Sequence, residues 1–126
     1  MKLLVDAHSW IEYLEGSSSG EKLSKLLNEE NEIYVLSITI SEVVSKVKRS
    51  DKDSELAYDS IIKNSRILEL TPRIAKEAGI LHADIRKKNS SFGIVDSLLI
   101  SSAKSINAKV VTGDRHFKQF NNVIII

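Results

Sequence analysis

The sequence contains no cysteine, and this absence excludes disulfide bonds, thiolate metal sites and cysteine nucleophiles. It also has no apolar run close to the roughly 20 residues that a membrane-spanning helix requires. The first apolar run, residues 3–5, is too short for a signal peptide because Asp6 ends it. The formal net charge is only +1, so nucleic acid could be bound only through local basic clusters. We therefore expect a cytoplasmic protein that does not associate with membranes.

The length and the apolar content suit one folded domain with a substantial core. The chain has 126 residues, of which 42% are hydrophobic, and this is enough to bury a core of its own. The sequence shows no internal repeat and no low-complexity segment that would divide it. We therefore expect a single domain over residues 1–126.

The beginning of the chain reads as a buried strand that ends in an acid. Leu3, Leu4 and Val5 form a continuous apolar run, which is typical of a strand that is covered on both faces. Asp6 follows directly. In an open α/β sheet, ligands bind outside the carboxyl ends of the strands, so Asp6 is expected at the edge where a site would form.

Strands and helices alternate along the rest of the sequence. A helix is expected from about His8 to Glu15, and another begins at Thr71 as N-cap with Pro72 in the first helical position. This alternation predicts parallel strands joined by right-handed crossovers. The fold class is therefore α/β, with three layers and a short parallel sheet between helices. The expected strands are residues 2–6, 32–37, 66–70, 109–112 and 123–126.

Four acids that are far apart in sequence are expected at one edge of this sheet. Asp6 ends the first strand, and Glu42 lies in the first turn of the helix that follows the second strand. Asp96 lies near the start of the helix before the fourth strand, and Asp114 follows the fourth strand. Clustered carboxylates repel each other. A hard divalent cation such as Mg²⁺ or Mn²⁺ removes that penalty because it prefers oxygen ligands. Such a site suits phosphodiester hydrolysis.

Each acid also has a purely structural interpretation. Glu42 has the capping-box spacing from Thr39. Asp96 could complement the helix dipole, and Asp114 could be an ordinary turn residue or N-cap. Asp6 is the hardest to explain in this way, because a carboxylate that ends a buried strand needs compensation.

The histidines and the basic clusters give weaker signals. His8, His82 and His116 do not have a metal-ligand spacing, and we expect His116 to support the Asp114 loop. Charge runs usually form a solvated helix face, and helix carboxyl ends favour cations. Arg115 and Lys118 are better placed to contact a phosphate. The two basic runs are Lys46, Lys48 and Arg49, and Arg86, Lys87 and Lys88.

Four short motifs, taken together and in order, resemble PIN-domain ribonucleases. In length and layout the chain is most similar to the VapC-type toxins of prokaryotic toxin–antitoxin pairs. The resemblance covers nearly the whole chain, although His8 stands where the family often has Ser or Asn. The motifs are Leu4-Val5-Asp6-Ala7-His8 with Trp10-Ile11, Thr39-Ile40-Ser41-Glu42, Asp96-Ser97-Leu98-Leu99, and Val111-Thr112-Gly113-Asp114 with His116-Phe117.

The resemblance implies a five-stranded parallel sheet of order 3-2-1-4-5 and a Mg²⁺- or Mn²⁺-dependent endoribonuclease. It also implies a homodimer and inhibition by a small VapB-like antitoxin. Asp6, Glu42, Asp96 and Asp114 match the family's acidic quartet, with Asp6 and Asp96 as the leading metal ligands. Thr112 matches the small hydroxyl residue beside the fourth acid.

Two other functions compete with this interpretation. One is a catalytically silent PIN-like module that only binds RNA or an antitoxin, although an intact quartet argues against it. The other is a phosphatase or phosphoacceptor domain that uses Asp6. A haloacid-dehalogenase-type phosphatase would need a second acid two residues later, where His8 stands.

Overall fold

Five β-strands alternate with helices along the chain, as the hydrophobic pattern predicts. The computed structural model describes residues 1–126. None of the helices combines the length and the apolar character that crossing a bilayer requires. The strands are β1 Lys2–Val5, β2 Glu32–Leu36, β3 Arg66–Leu68, β4 Lys109–Thr112 and β5 Val123–Ile125. The helices are α1 Ala7–Glu15, α2 Ser18–Asn28, α3 Ser37–Arg49, α4 Ser54–Asn64, α5 Pro72–Arg86 and α6 Ile94–Ser105, with a short 3₁₀ helix at Arg115–Gln119.

The strands form one parallel sheet in the order β3-β2-β1-β4-β5. This confirms the predicted α/β class and the strand order that the resemblance implies. Strand β1 lies at the centre, where Leu4 pairs with Tyr34 of β2 and Val5 pairs with Val111 of β4. Since all five strands run in the same direction, their carboxyl ends share one edge.

The two faces of the sheet have separate apolar cores. Side chains alternate across a strand, so Leu3 and Val5 join the core beneath α1, α2, α3 and α4, where Trp10 is fully buried. Leu4 joins the core on the other face, beneath α6, together with Phe117. The central strand is therefore covered on both sides, which is why its sequence is apolar without alternation.

The start of α3 differs from the prediction. The N-cap is Leu36, which makes no side-chain cap, and the helix begins at Ser37 because the chain leaves strand β2 without an intervening loop. The capping box of Thr39 with Glu42, which was the structural alternative for Glu42, therefore does not form. Thr39 lies within the first turn and is fully buried, and Glu42 lies in the second turn rather than the first.

The other predicted boundaries agree with the structure to within two residues. Thr71 is the N-cap of α5 as predicted, and its Oγ1 accepts a hydrogen bond of 3.2 Å from the amide of Ile74. Strand β3 ends at Leu68, two residues before its expected end. Leu68 pairs with Leu36, the last residue of β2, and β2 gives way to helix α3 at Ser37, so β3 has no partner beyond Leu68.

Candidate active site

The four predicted acids line a single cavity at the carboxyl edge of the sheet. The cavity has a volume of about 390 Å³. Asp6 follows β1, Glu42 comes from α3, Asp96 from α6, and Asp114 from the loop after β4. The parallel topology therefore brings together residues that are up to 108 positions apart in sequence (6 to 114). The cavity is completed by Ala7, His8, Val95, Leu99, Gly113 and Phe117.

Asp6 is the most buried of the four carboxylates, with 8% of its surface exposed. It is the N-cap of α1, and its Oδ1 accepts a hydrogen bond of 2.8 Å from the amide of Ser9. Burial raises the pKa of the Asp6 carboxyl, while hydrogen bonds from Thr112 and Ser9 act in the opposite direction. The hydrogen bonds to Asp6 therefore do not fully offset the cost of burying its charge, which is the difficulty that the sequence indicated.

Thr112 interacts with both the first and the fourth acid, Asp6 and Asp114. Its side chain is fully buried. Its Oγ1 accepts a hydrogen bond of 3.0 Å from the amide of Asp114, and the same hydroxyl lowers the pKa of Asp6 by hydrogen bonding to its carboxylate. A hydroxyl can both donate and accept, so Thr112 is suited to hold the loop after β4 against the end of β1.

Asp96 has a structural role at the start of a helix, and one of its two carboxylate oxygens is left without a partner. It lies in the first turn of α6, and its Oδ2 accepts a hydrogen bond of 2.9 Å from the amide of Gly93, the N-cap. This contact satisfies one of the free amides at the helix start. The second oxygen, Oδ1, makes no hydrogen bond to the protein and remains available in the cavity. The spacing Gly93-x-x-Asp96 is a sequence signal for this cap.

Glu42 lies at the rim of the cavity, and its pKa is affected by two of the other acids. Its side chain is exposed, and neither carboxylate oxygen makes a hydrogen bond or an ion pair with the protein. Partial loss of hydration raises the pKa of Glu42, and the negative charges of Asp6 and Asp96 raise it further. Glu42 is therefore close enough to Asp6 and to Asp96 for their charges to disfavour its own.

Asp114 is the N-cap of the 3₁₀ helix and is paired with a histidine. Its Oδ1 accepts a hydrogen bond of 2.9 Å from the amide of His116 and lies 3.0 Å from His116 Nδ1. His116 therefore supports the Asp114 loop, as predicted. Asp114 Oδ2 has no partner in the protein, so this acid too presents a free oxygen.

His8 is more closely tied to the cavity than the sequence indicated. Its ring packs against the chain at Gly113, where an added Cβ would lie 2.9 Å from His8 Cδ2. Its Nε2 lies 3.4 Å from Glu12 Oε1. A side chain at position 113 would displace the ring, so the glycine is the sequence signal for this contact.

The donor set fits a hard divalent cation. Four carboxylates share one cavity, at least three of them keep an oxygen that makes no hydrogen bond to the protein, and Glu42 carries a repulsion that a cation would relieve. No three of the chain's histidine and acid side chains are yet arranged closely enough to enclose an ion. Ion binding would therefore require side-chain movements, for which the exposed members, Glu42 and Asp114, have the most freedom.

Two buried threonines allow a test of the Thr112 contact. We expect Thr112→Val to lower the free energy of unfolding by about 0.5–1.5 kcal/mol, because the part-buried amide of Asp114 loses its acceptor. Thr39 is equally buried, but its Oγ1 has no hydrogen-bond partner, so Thr39→Val should be neutral or stabilising. Urea unfolding of both variants measures the difference. Equal losses for the two would show that the Thr112 hydroxyl does not hold the loop.

Comparisons with known proteins agree with this fold. A family model of the PIN domain matches residues 3–123. The toxin–antitoxin complex VapBC2 from Rickettsia felis, solved with a promoter DNA fragment, contains a chain with a TM-score of 0.79 and 23% identity, with 100% of this chain and 98% of that chain covered. DNA-bound VapBC from Salmonella typhimurium gives a TM-score of 0.76 and 20% identity, with coverages of 100% and 97%.

A third similar structure is VapC20 from Mycobacterium tuberculosis, described as a toxin that cleaves the sarcin–ricin loop. Its TM-score is 0.72 at 12% identity, and 96% of each chain is covered. No curated protein matches the chain. Because the family model covers nearly the whole sequence, the chain belongs to the PIN-domain family, whose members are generally nucleases.

Proposed function

We propose that this chain is a Mg²⁺- or Mn²⁺-dependent endoribonuclease of the VapC-toxin kind that acts in the cytoplasm, with residues 1–126 forming one PIN domain. One observation carries the proposal. Four carboxylates from four separate segments line the same cavity, in a chain that belongs to the PIN-domain family. The neighbouring toxin structures, one of which is described as cleaving an RNA loop, support the same substrate class.

The structure suggests a division of roles among the acids. Asp6 and Asp96 are held by backbone amides at helix starts, so they are the fixed members and would bind the ion directly. Glu42 and Asp114 are more exposed and would complete the site directly or through water. A bound divalent ion would lower the pKa of water and offset charge on the phosphate. Glu42, whose carboxylate makes no hydrogen bond to the protein, can turn to accept the proton of the attacking water.

Removal of the metal tests this proposal. We expect the purified protein to cleave single-stranded RNA in Mg²⁺ or Mn²⁺, to lose that activity in excess EDTA, and to regain it when the ion is restored. Gel analysis of end-labelled RNA measures the cleavage. Cleavage that persists in EDTA would contradict the metal requirement, and the Asp96→Asn variant serves to show that any cleavage belongs to this cavity.

A silent binding module is the second candidate, and one observation favours it. Asp6, Asp96 and Asp114 each accept a hydrogen bond from a backbone amide, so each has a structural role that does not depend on catalysis. Calorimetric titration with Mn²⁺ separates the two candidates. A nuclease should bind the ion, and should bind it less tightly after Asp6→Asn, whereas a silent module should show no heat of binding.

We further propose that the protein has a small VapB-like antitoxin as partner and forms a homodimer. Support for the antitoxin comes from the neighbours that were solved as toxin–antitoxin complexes. A groove between α1, α3 and α4 offers an apolar surface, since Leu56 at its edge is 65% exposed. Support for the dimer comes from the resemblance to VapC-type toxins. Light scattering after size-exclusion chromatography measures the oligomeric state.

A further inference from the structure

A second, open groove continues from the acidic cavity across the surface of α3. This groove has a volume of about 510 Å³ and shares Ala7, His8 and Glu42 with the cavity. Beyond these shared residues it is lined by Ile11, Ser41, Ser45, Lys46 and Arg49. The two surfaces are therefore continuous, and a chain-like ligand that occupies the cavity has a path out of it along the α1–α3 face.

The charge along this path changes sign with distance from the cavity. Glu42, Lys46 and Arg49 are separated by four and three residues, so they lie on one stripe of α3. With a rise of 1.5 Å per residue, Lys46 is about 6 Å and Arg49 about 10 Å along the helix from Glu42. Such separations are on the scale of neighbouring phosphates in an extended single strand. The acidic end would take up a cation, and the basic end would take up anions.

Both basic side chains are free to contact a ligand, and Lys46 also lines the apolar groove proposed above for the antitoxin. Lys46 and Arg49 are exposed, and neither forms an ion pair in the structure. The Nε of Arg49 donates a hydrogen bond of 3.3 Å to Ser45 Oγ, which orients the guanidinium while its terminal nitrogens remain free. Free guanidinium nitrogens are the groups that recognise phosphate with two parallel hydrogen bonds.

We propose that Lys46 and Arg49 bind the phosphate backbone of single-stranded RNA on one side of the cleavage point, along the α1–α3 groove. This inference rests on the proposed nuclease function. The favoured occupant is RNA rather than a protein segment because the groove leads directly into the acidic cavity and carries two unpaired cations. A protein occupant is the competing outcome that the test must exclude.

Lys48 provides a matched control on the same helix. All three cations lie in the last turn of α3, where they complement the helix dipole equally. Lys48 is exposed but does not line the groove. Loss of a contribution that comes only from the dipole or from overall charge should therefore appear in Lys48→Ala as well, in proportion to the one charge removed.

The experiment measures binding of a fluorescein-labelled single-stranded RNA by anisotropy, in EDTA, so that the proposed cleavage does not interfere. We expect the Lys46→Ala/Arg49→Ala variant to bind about tenfold more weakly at low salt than wild type. The slope of log affinity against log salt should fall by about 1.4, or about 0.7 for each phosphate that is no longer neutralised. Lys48→Ala should match wild type, and the charge-preserving Lys46→Arg/Arg49→Lys variant should keep the wild-type slope.

The outcomes separate this inference from the proposed function. A double variant that matches Lys48→Ala in slope and affinity would overturn the phosphate path, as would a wild-type protein that does not bind the RNA. A double variant that binds RNA normally but no longer binds a co-expressed protein partner would assign the groove to that partner instead. Failure of metal-dependent cleavage with the binding results intact would overturn the nuclease proposal but leave the RNA path in place.

Discussion

Asp6→Asn is expected to abolish RNA cleavage without unfolding the protein. We expect the rate to fall by more than about 100-fold, since loss of residues that merely orient metal ligands already costs about 10- to 100-fold. Asparagine keeps the oxygen that accepts the Ser9 amide, so the start of α1 is preserved. Burial raises the pKa of Asp6, so removing the charge should also increase stability at neutral pH. The measurements are single-turnover cleavage and thermal unfolding in EDTA.

The pH dependence gives this prediction a definite sign. A carboxyl whose pKa is raised on folding binds its proton more tightly in the native state, so native stability increases as pH falls through the raised pKa. The advantage of Asp6→Asn over wild type should therefore be largest above that raised pKa, should shrink as the pH falls through it, and should disappear only below the ordinary pKa of 3.8. Asp59→Asn, an exposed change on α4, is the control and should alter neither activity nor stability. Retained cleavage by folded Asp6→Asn would contradict the assignment of Asp6.

Gly20→Ala is expected to cause the largest loss of stability among the glycine substitutions. Gly20 lies in α2 where that helix crosses the end of α1, and an added Cβ would overlap the carbonyl of Glu12 and lie 2.8 Å from Tyr13 Cα. These atoms belong to the backbone, so they cannot turn aside. We expect a loss of about 3 kcal/mol in the free energy of unfolding, which corresponds to about 10 °C in the melting temperature.

Gly79→Ala is the matched control for this change. Gly79 lies inside helix α5, is exposed, and has no atom within 4 Å of an added Cβ. The substitution should stabilise the protein by about 0.5–1 kcal/mol, because alanine favours helix over glycine. Calorimetric melting of the two variants measures both effects. Similar melting temperatures for Gly20→Ala and Gly79→Ala would contradict the close crossing of α1 and α2.

The central strand and the sheet order were predictable because strong and simple signals determine them. Continuous apolar runs such as Leu3-Leu4-Val5 arise only where both faces are covered, and alternation of strands with helices restricts the topology to parallel crossovers. The order 3-2-1-4-5 came from the resemblance and not from the pattern. The same topology was sufficient to predict that Asp6 and Asp114 lie at one edge.

The start of α3 was not predictable from its sequence. Thr39 and Glu42 have the spacing of a capping box, but the helix begins at Ser37 after Leu36, which provides no side-chain cap. Tertiary packing decides here, because the helix must turn Thr39 and Val43 into the core. The capping-box spacing shows only that a helix could begin at Thr39. Burial of the first turn determines where this helix does begin.

The finer geometry of the cavity could not be predicted from the sequence either. Residue spacing indicated that Asp96 begins a helix, but it did not indicate that one of its oxygens is used by Gly93 while the other is free. It also gave no measure of how far Glu42 stands from the other acids. These properties depend on rotamers and on local backbone positions, which are set by packing across the sheet edge.

The shortness of the two outer strands affects how the protein behaves in solution. Strands β3 and β5 pair over only three residues each, so each outer edge presents few unsatisfied backbone groups to another molecule. Lateral addition of foreign strands, the usual route to aggregation of exposed sheets, is correspondingly disfavoured. The strands of four and five residues lie in the interior of the sheet, so an incoming strand would find only a short template at either edge.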